Sequence, residues 1–128
     1  MKSILIADGN ESVAELFANF FACHDWNVTR YSDGKRAGEE LCGRAHYDAV
    51  LVGYRFDGVD GVELIKLIRA LDHRKDVPIV MGTGTVGVGV AAAALAAGAD
   101  DVLYKPIDVA LLLATVRKAV EGARYQDT

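Results

Sequence analysis

The chain has 128 residues, enough for one domain of ordinary size and too few for two. Apolar residues make up 52% and charged residues 25%, so a full core is available and the polar bias of disordered chains is absent. Fourteen Lys and Arg against 18 Asp and Glu leave a formal charge of -4, the wrong sign for attraction to nucleic-acid backbones or anionic lipid.

The start, MKSILIADGN, carries too short an apolar stretch for a signal-peptide core, and no run approaches the ~18 apolar residues of a membrane span. A cytoplasmic location is expected, with no nucleic-acid and no membrane partner. Cys23 and Cys42 lack CxxC spacing and read as buried or half-buried thiols of a reducing compartment. His24, His46 and His73 have no metal-ligand spacing, and no Ser-His-Asp or Cys-His arrangement suggests hydrolysis.

In chain order, Ile4-Leu5-Ile6-Ala7 is a short apolar run ending at Asp8-Gly9-Asn10, the pattern of a doubly buried strand and a turn. Val13, Leu16, Phe17 and Phe20 then repeat at helical spacing. Asn27 to Tyr31 alternates as a second strand, and Asp33-Gly34 opens a helix to about Arg44 with Ala37, Leu41 and Cys42 inward. Ala49 to Val52 is a third strand ending at Gly53, and Asp60 caps a helix carrying Leu64, Leu67, Ile68 and Leu71. Val77 to Met81 is a fourth strand, followed by an alanine-rich helix from about Val86 to Ala97 with Gly98 as C-cap. Val102 to Tyr104 is the fifth, and Asp108 caps a last helix with Val109, Leu112, Leu113, Val116 and Val120 on one face. Trp26, Phe20 and Phe21 are expected to close the end of the core opposite the functional loops.

Five β/α units in strict alternation imply an α/β fold: a five-stranded parallel sheet with right-handed crossovers and helices on both faces. Chemistry then collects at the carboxyl ends of the strands, in loops beginning at Asp8, Ser32, Gly53, Gly82 and Lys105.

At those loops the sequence resembles the receiver domain of two-component response regulators, over nearly the whole chain. The match rests on ILIADGNE, YDAVLVGYRFDGVDGVELI, PIVMGTG and AGADDVLYKPID. The resemblance implies a flavodoxin-like (βα)5 doubly wound sandwich, with residues 1–122 as the receiver-like domain and 123–128 as a C-terminal tail. It also implies a carboxylate after the third strand that accepts a phosphoryl group. Mg²⁺ would be held by an acidic pair after the first strand, and a hydroxyl and a lysine would read the phosphorylated state.

Carried over by position, the match is partial. Thr83 takes the hydroxyl position, Lys105 the lysine and Asp8 the first acid, but the second acid falls on Gly9 and the phosphoacceptor on Gly53. Glycine has no side chain to phosphorylate, so phosphotransfer signalling through residue 53 is not expected. The Mg²⁺ site is expected to be lost or very weak, although Arg55 could still offer a backbone carbonyl. Asp8 and Lys105, relieved of a third charge, are expected to pair or to share a water.

The leading expectation is a pseudo-receiver, a non-enzymatic module that works by protein contact without phosphorylation. Its partners would be a histidine kinase, an effector or another regulator. A homodimer through the fourth helix, fifth strand and fifth helix is possible in this family, on a surface that includes Gly87, Gly89, Val102 and Tyr104. Val102 occupies the family's usual aromatic switch position. Two alternatives stand beside this. Asp57 could act as a displaced acceptor, although its loop is expected to point away from Lys105, and Glu11 could substitute for the missing acid. The Gly82-Thr83-Gly84-Thr85-Val86-Gly87 run spells GxGxxG and could serve a nucleotide or small-ligand sensor.

Overall fold

The computed structural model describes residues 1–84 and 89–126. Strands and helices alternate as β1 (Ser3–Ala7), α1 (Glu11–Cys23), β2 (Asn27–Tyr31), α2 (Gly34–Cys42) and β3 (Ala49–Gly53). They continue as α3 (Gly61–Ala70), β4 (Ile79–Thr83), α4 (Val90–Ala97), β5 (Asp101–Tyr104) and α5 (Val109–Gln126). All neighbouring strands pair parallel in the order β2-β1-β3-β4-β5. This is the expected flavodoxin-like arrangement, and its order reverses between β1 and β3, where the chain leaves the sheet in opposite directions and opens a crevice.

Sheet side chains alternate between two cores. Leu5, Ala7, Val50, Val52, Ile79 and Met81 pack beneath α2, α3 and α4. Ile4, Ile6, Ala49, Leu51 and Val80 pack beneath α1 and α5, with Phe17, Phe21 and Trp26 closing that layer. Phe21 meets Trp26 edge-on at 5.4 Å between ring centroids. Asn10, Asp33 and Asp60 each cap a helix by accepting backbone N–H groups, which sets where α1, α2 and α3 begin.

Several expectations need correction. The buried stripe of α1 is Ala14, Phe17 and Phe21, while Leu16 stays 58% exposed, because the helix is rotated one position from the expected face. In α3, Val62, Leu64, Ile65 and Ile68 are buried and Leu67 is exposed. β4 runs two residues later than expected, through Gly82 and Thr83, so that Thr83 is delivered at its end. Cys23 and Cys42 are both exposed rather than buried: each ends its helix just past the buried Phe21 and Leu41. The expected start of the fourth helix at Val86, and Gly87 with it, lies outside the described residues. Residue 122 is not an element boundary, since α5 continues to Gln126. Among the described residues no helix is long and apolar enough to cross a membrane.

Two arginines organise the amino-terminal end of the sheet. The buried Arg74 guanidinium donates to the carbonyls of Leu41, Gly43 and Ala45 at 2.6, 2.9 and 2.6 Å, answering the loose end of α2, and lies 5.3 Å over the Tyr47 ring. Arg69 donates to the Gly98 carbonyl at 3.0 and 2.8 Å and to Val77 at 2.6 Å, joining the end of α4 to the entry of β4. Gly98 has φ 121°, and a β-carbon there would fall 2.7 Å from Arg69 Cγ, so the C-cap needs glycine twice over. Arg74→Met should lower unfolding free energy by about 2–3 kcal/mol by leaving those carbonyls without their charged donor, as measured by urea denaturation.

Asp48 joins this end to β1. Burial pushes its carboxyl pKa up, but the Ser3 amide at 2.7 Å and the His46 ring at 3.1 Å outweigh that and hold it below its ordinary 3.8. A depressed folded pKa gives stability that is present above the unfolded value and lost as pH falls through the folded one. Asp48→Asn should therefore flatten the pH dependence of stability below about pH 4 in acid unfolding series, leaving its slope near neutrality unchanged.

Candidate functional site

The crevice at the carboxyl ends of β1 and β3 widens into a cleft of about 1450 Å³ bordered by Asp8, Tyr54, Arg55, Asp57, Thr83 and Lys105. Asp8 follows β1 directly and is only 5% exposed. Its Oδ1 accepts the Asn10 amide at 2.9 Å, and its Oδ2 accepts Lys105 Nζ at 2.7 Å. Lys105 is held in turn through its own amide, which donates to the Thr83 carbonyl at 2.8 Å, so the last residue of β4 fixes the loop after β5. Thr83 is buried at this junction.

Gly53 closes β3 against this pair. A β-carbon at residue 53 would sit 2.9 Å from Asp8 Oδ2 and 3.0 Å from Asp8 Cγ. The Asp8 carboxylate is thus packed over the place where a residue-53 side chain would begin, and it is paired with the Lys105 ammonium. Gly9 stands in a tighter position, because a β-carbon there would collide with the Arg55 main-chain carbonyl. That carbonyl, expected to be free for a cation, is directed at Gly9. Gly61 makes a third close approach: a β-carbon on it would strike the Gly53 carbonyl, and its amide donates to the Tyr54 carbonyl at 2.6 Å. The segment 54–60 is drawn in between these glycines.

The remaining expected residues fall on the rim or away from it. Asp57 is exposed and borders the same cleft. Glu11 is exposed, borders the same cleft and accepts the Ser32 hydroxyl at 3.3 Å. Val102 is half-buried in the layer beneath α4, and Tyr104 is 45% exposed on the last strand. Gly89 precedes α4 as an N-cap without a side-chain hydrogen bond. Gly82 lies within β4 and faces Ile107 Cδ1, so the first glycine of the GxGxxG run belongs to the sheet rather than to a phosphate-binding loop. Among the described residues no three His, Cys, Asp or Glu side chains are grouped to hold a metal.

The closures by Arg55 and Gly61 were missed by sequence reasoning. Asp60-Gly61 read as a helix cap and as part of the receiver resemblance, not as a close approach to β3, and a carbonyl has no sequence signature. With no carboxylate at residues 9 or 53, the arrangement supplies a neutralised acid-base pair, a buried hydroxyl residue and a broad open cleft. Lys105→Met should cost about 2–3 kcal/mol by stranding the buried Asp8 charge, and Asp8→Asn combined with it should recover most of that loss. Urea unfolding of the four proteins as a double-mutant cycle measures the coupling.

A family model described as the response regulator receiver domain matches residues 4–117. The transcriptional regulatory protein ZraR of Escherichia coli O157:H7 is 32% identical over 124 residues, 97% of this chain and 27% of that protein. The chain spans between 25% and 53% of the length of the first three curated relatives it matches. Among solved structures, a CheY-like receiver domain protein from Methanospirillum hungatei JF-1 superposes with a TM-score of 0.90 at 19% identity, covering 98% of each chain. The receiver domain of the sensor histidine kinase PA1611 from Pseudomonas aeruginosa PAO1 is 28% identical with a TM-score of 0.85. That match covers 94% of this chain and 98% of that one, and PA1611's domain holds a magnesium ion in its active-site cleft.

Proposed function

Because the chain belongs to the response regulator receiver domain family, we propose that it is a pseudo-receiver of two-component signalling, one whose output does not depend on phosphorylation at residue 53. The observation that carries this is the packing of the Asp8 carboxylate, already paired with Lys105, over the bare Cα of Gly53. Phosphoryl transfer to a receiver needs a carboxylate nucleophile aligned with the donor and a cation to gather the phosphoryl oxygens. Residue 53 offers no side-chain oxygen to accept a phosphoryl group, and the ammonium that would read one is engaged by Asp8.

On this reading the surface of α4, β5 and α5 carries the output. The module is proposed to act by contact with proteins of the pathway: a histidine kinase, an effector or another regulator, in the cytoplasm. Self-association through α4, β5 and α5 belongs to the same proposal. Leu95 at 49%, Tyr104 at 45% and Leu111 at 53% exposure supply apolar contact area on those three elements.

A small-molecule phosphodonor with millimolar Mg²⁺, followed by intact mass measurement, tests the reading. No mass increase is expected under conditions that label an ordinary receiver. A stable adduct would overturn it, and peptide mapping of that adduct to Asp57 would establish the displaced acceptor instead.

A further inference from the structure

Magnesium binding requires several hard oxygen ligands in near-octahedral array. The residues present here do not fit that demand. Asp8 offers a carboxylate, but its Oδ1 accepts the Asn10 amide and its Oδ2 the Lys105 ammonium, so a divalent cation would have to compete with Lys105 for it. The Arg55 carbonyl is seated against Gly9, and neither residue 9 nor residue 53 carries an acid.

We infer that the closed 54–60 segment, and not the missing carboxylates alone, excludes divalent cations from this cleft, with the Lys105 ammonium serving as the site's own cation. The inference rests on the reading of the chain as a phosphorylation-independent receiver and gives its physical cause. Gly53 and Gly61 hold the two ends of the segment together, since the Gly53 carbonyl lies where a residue-61 β-carbon would be and the Gly61 amide grips the Tyr54 carbonyl at 2.6 Å. With the ends fixed, the Arg55 carbonyl is pressed onto Gly9, where only a hydrogen fits. A carboxylate added at residue 53 would begin 2.9 Å from Asp8 Oδ2 and would add negative charge that draws a cation, but it would leave the Arg55 carbonyl seated on Gly9 and residue 9 without an acid. A carboxylate added at residue 9 would first have to displace the Arg55 backbone. Restoring the acids therefore does not restore a cation site while the segment stays closed.

Two measurements on the intact chain test this. Amide chemical shifts of the wild type and of Gly53→Asp are followed through a titration with millimolar MgCl₂. No saturable shift is expected at Asp8, Arg55 or Phe56 in either protein, and saturable binding by Gly53→Asp would overturn the inference. The thermal midpoints of Gly9→Ala and wild type are compared as well. A clear fall is expected because the added methyl meets main chain, and an unchanged midpoint would show that the segment is not seated on Gly9. Neither outcome depends on phosphorylation. A phospho-adduct on the wild type would defeat the functional reading, whereas magnesium binding by Gly53→Asp without one would defeat only the closed-segment account.

Discussion

The contact between Lys105 and Asp8 joins residues 97 positions apart in sequence, the loop after the last strand and the loop after the first. A parallel sheet has no hairpins to hold its ends together, so contacts at the strand ends must do it. Here the pair spans β1 to β5 over the intervening ends of β3 and β4. Asp8 is buried, so the ammonium is its necessary counter-charge, and the position of Lys105 is fixed by the Thr83 carbonyl. Gly53 makes the geometry possible: any larger residue would compete with the Asp8 carboxylate for the same space.

The alternation of elements was legible because doubly buried strands and amphipathic helices leave different periods in the sequence. Ile4 to Ala7 and Ala49 to Val52 could hardly be anything but central strands, and Asp33 and Asp60 marked helix starts through capping chemistry. Rotation about a helix axis was less legible. Leu16 and Ala14 differ by two positions, and which of them faces the sheet depends on how Phe17 and Phe21 fill the layer above Ile4 and Ile6. Alanine is small enough to lie in close and leucine is tolerated outside, which inverts what hydrophobicity alone suggests. The displaced start of β4 has a similar origin: Val77 and Pro78 read as strand, but Arg69 draws the Val77 carbonyl to itself.

At the site, register alone located Gly9, Gly53, Thr83 and Lys105, because strand ends in this topology converge wherever the chain reverses its direction of travel across the sheet. Their consequences for one another were not legible. Whether a missing side chain leaves a void, admits water or is filled by a neighbour is decided by packing. Here Asp8 fills the space at Gly53, and main chain fills it at Gly9. Arg69 and Arg74 were equally silent in the sequence. Nothing in the spacing marks either, yet both are anchored by carbonyls contributed from distant segments.

The Arg69 contact with Gly98 gives α4 an unequal suspension. Its last turn is clamped by a guanidinium bonded to its C-cap carbonyl, while its first turn begins at Gly89, which has no side chain to cap it. Only Ala94 of this helix is buried. Among the described residues, the carboxyl end of α4 is thus fixed by directional hydrogen bonds, while Val90 at the other end is held by apolar packing on the core. A partner docking near Ala97 meets a surface whose position is set by charge and hydrogen bonding, and one docking near Val90 meets a surface set by side-chain packing.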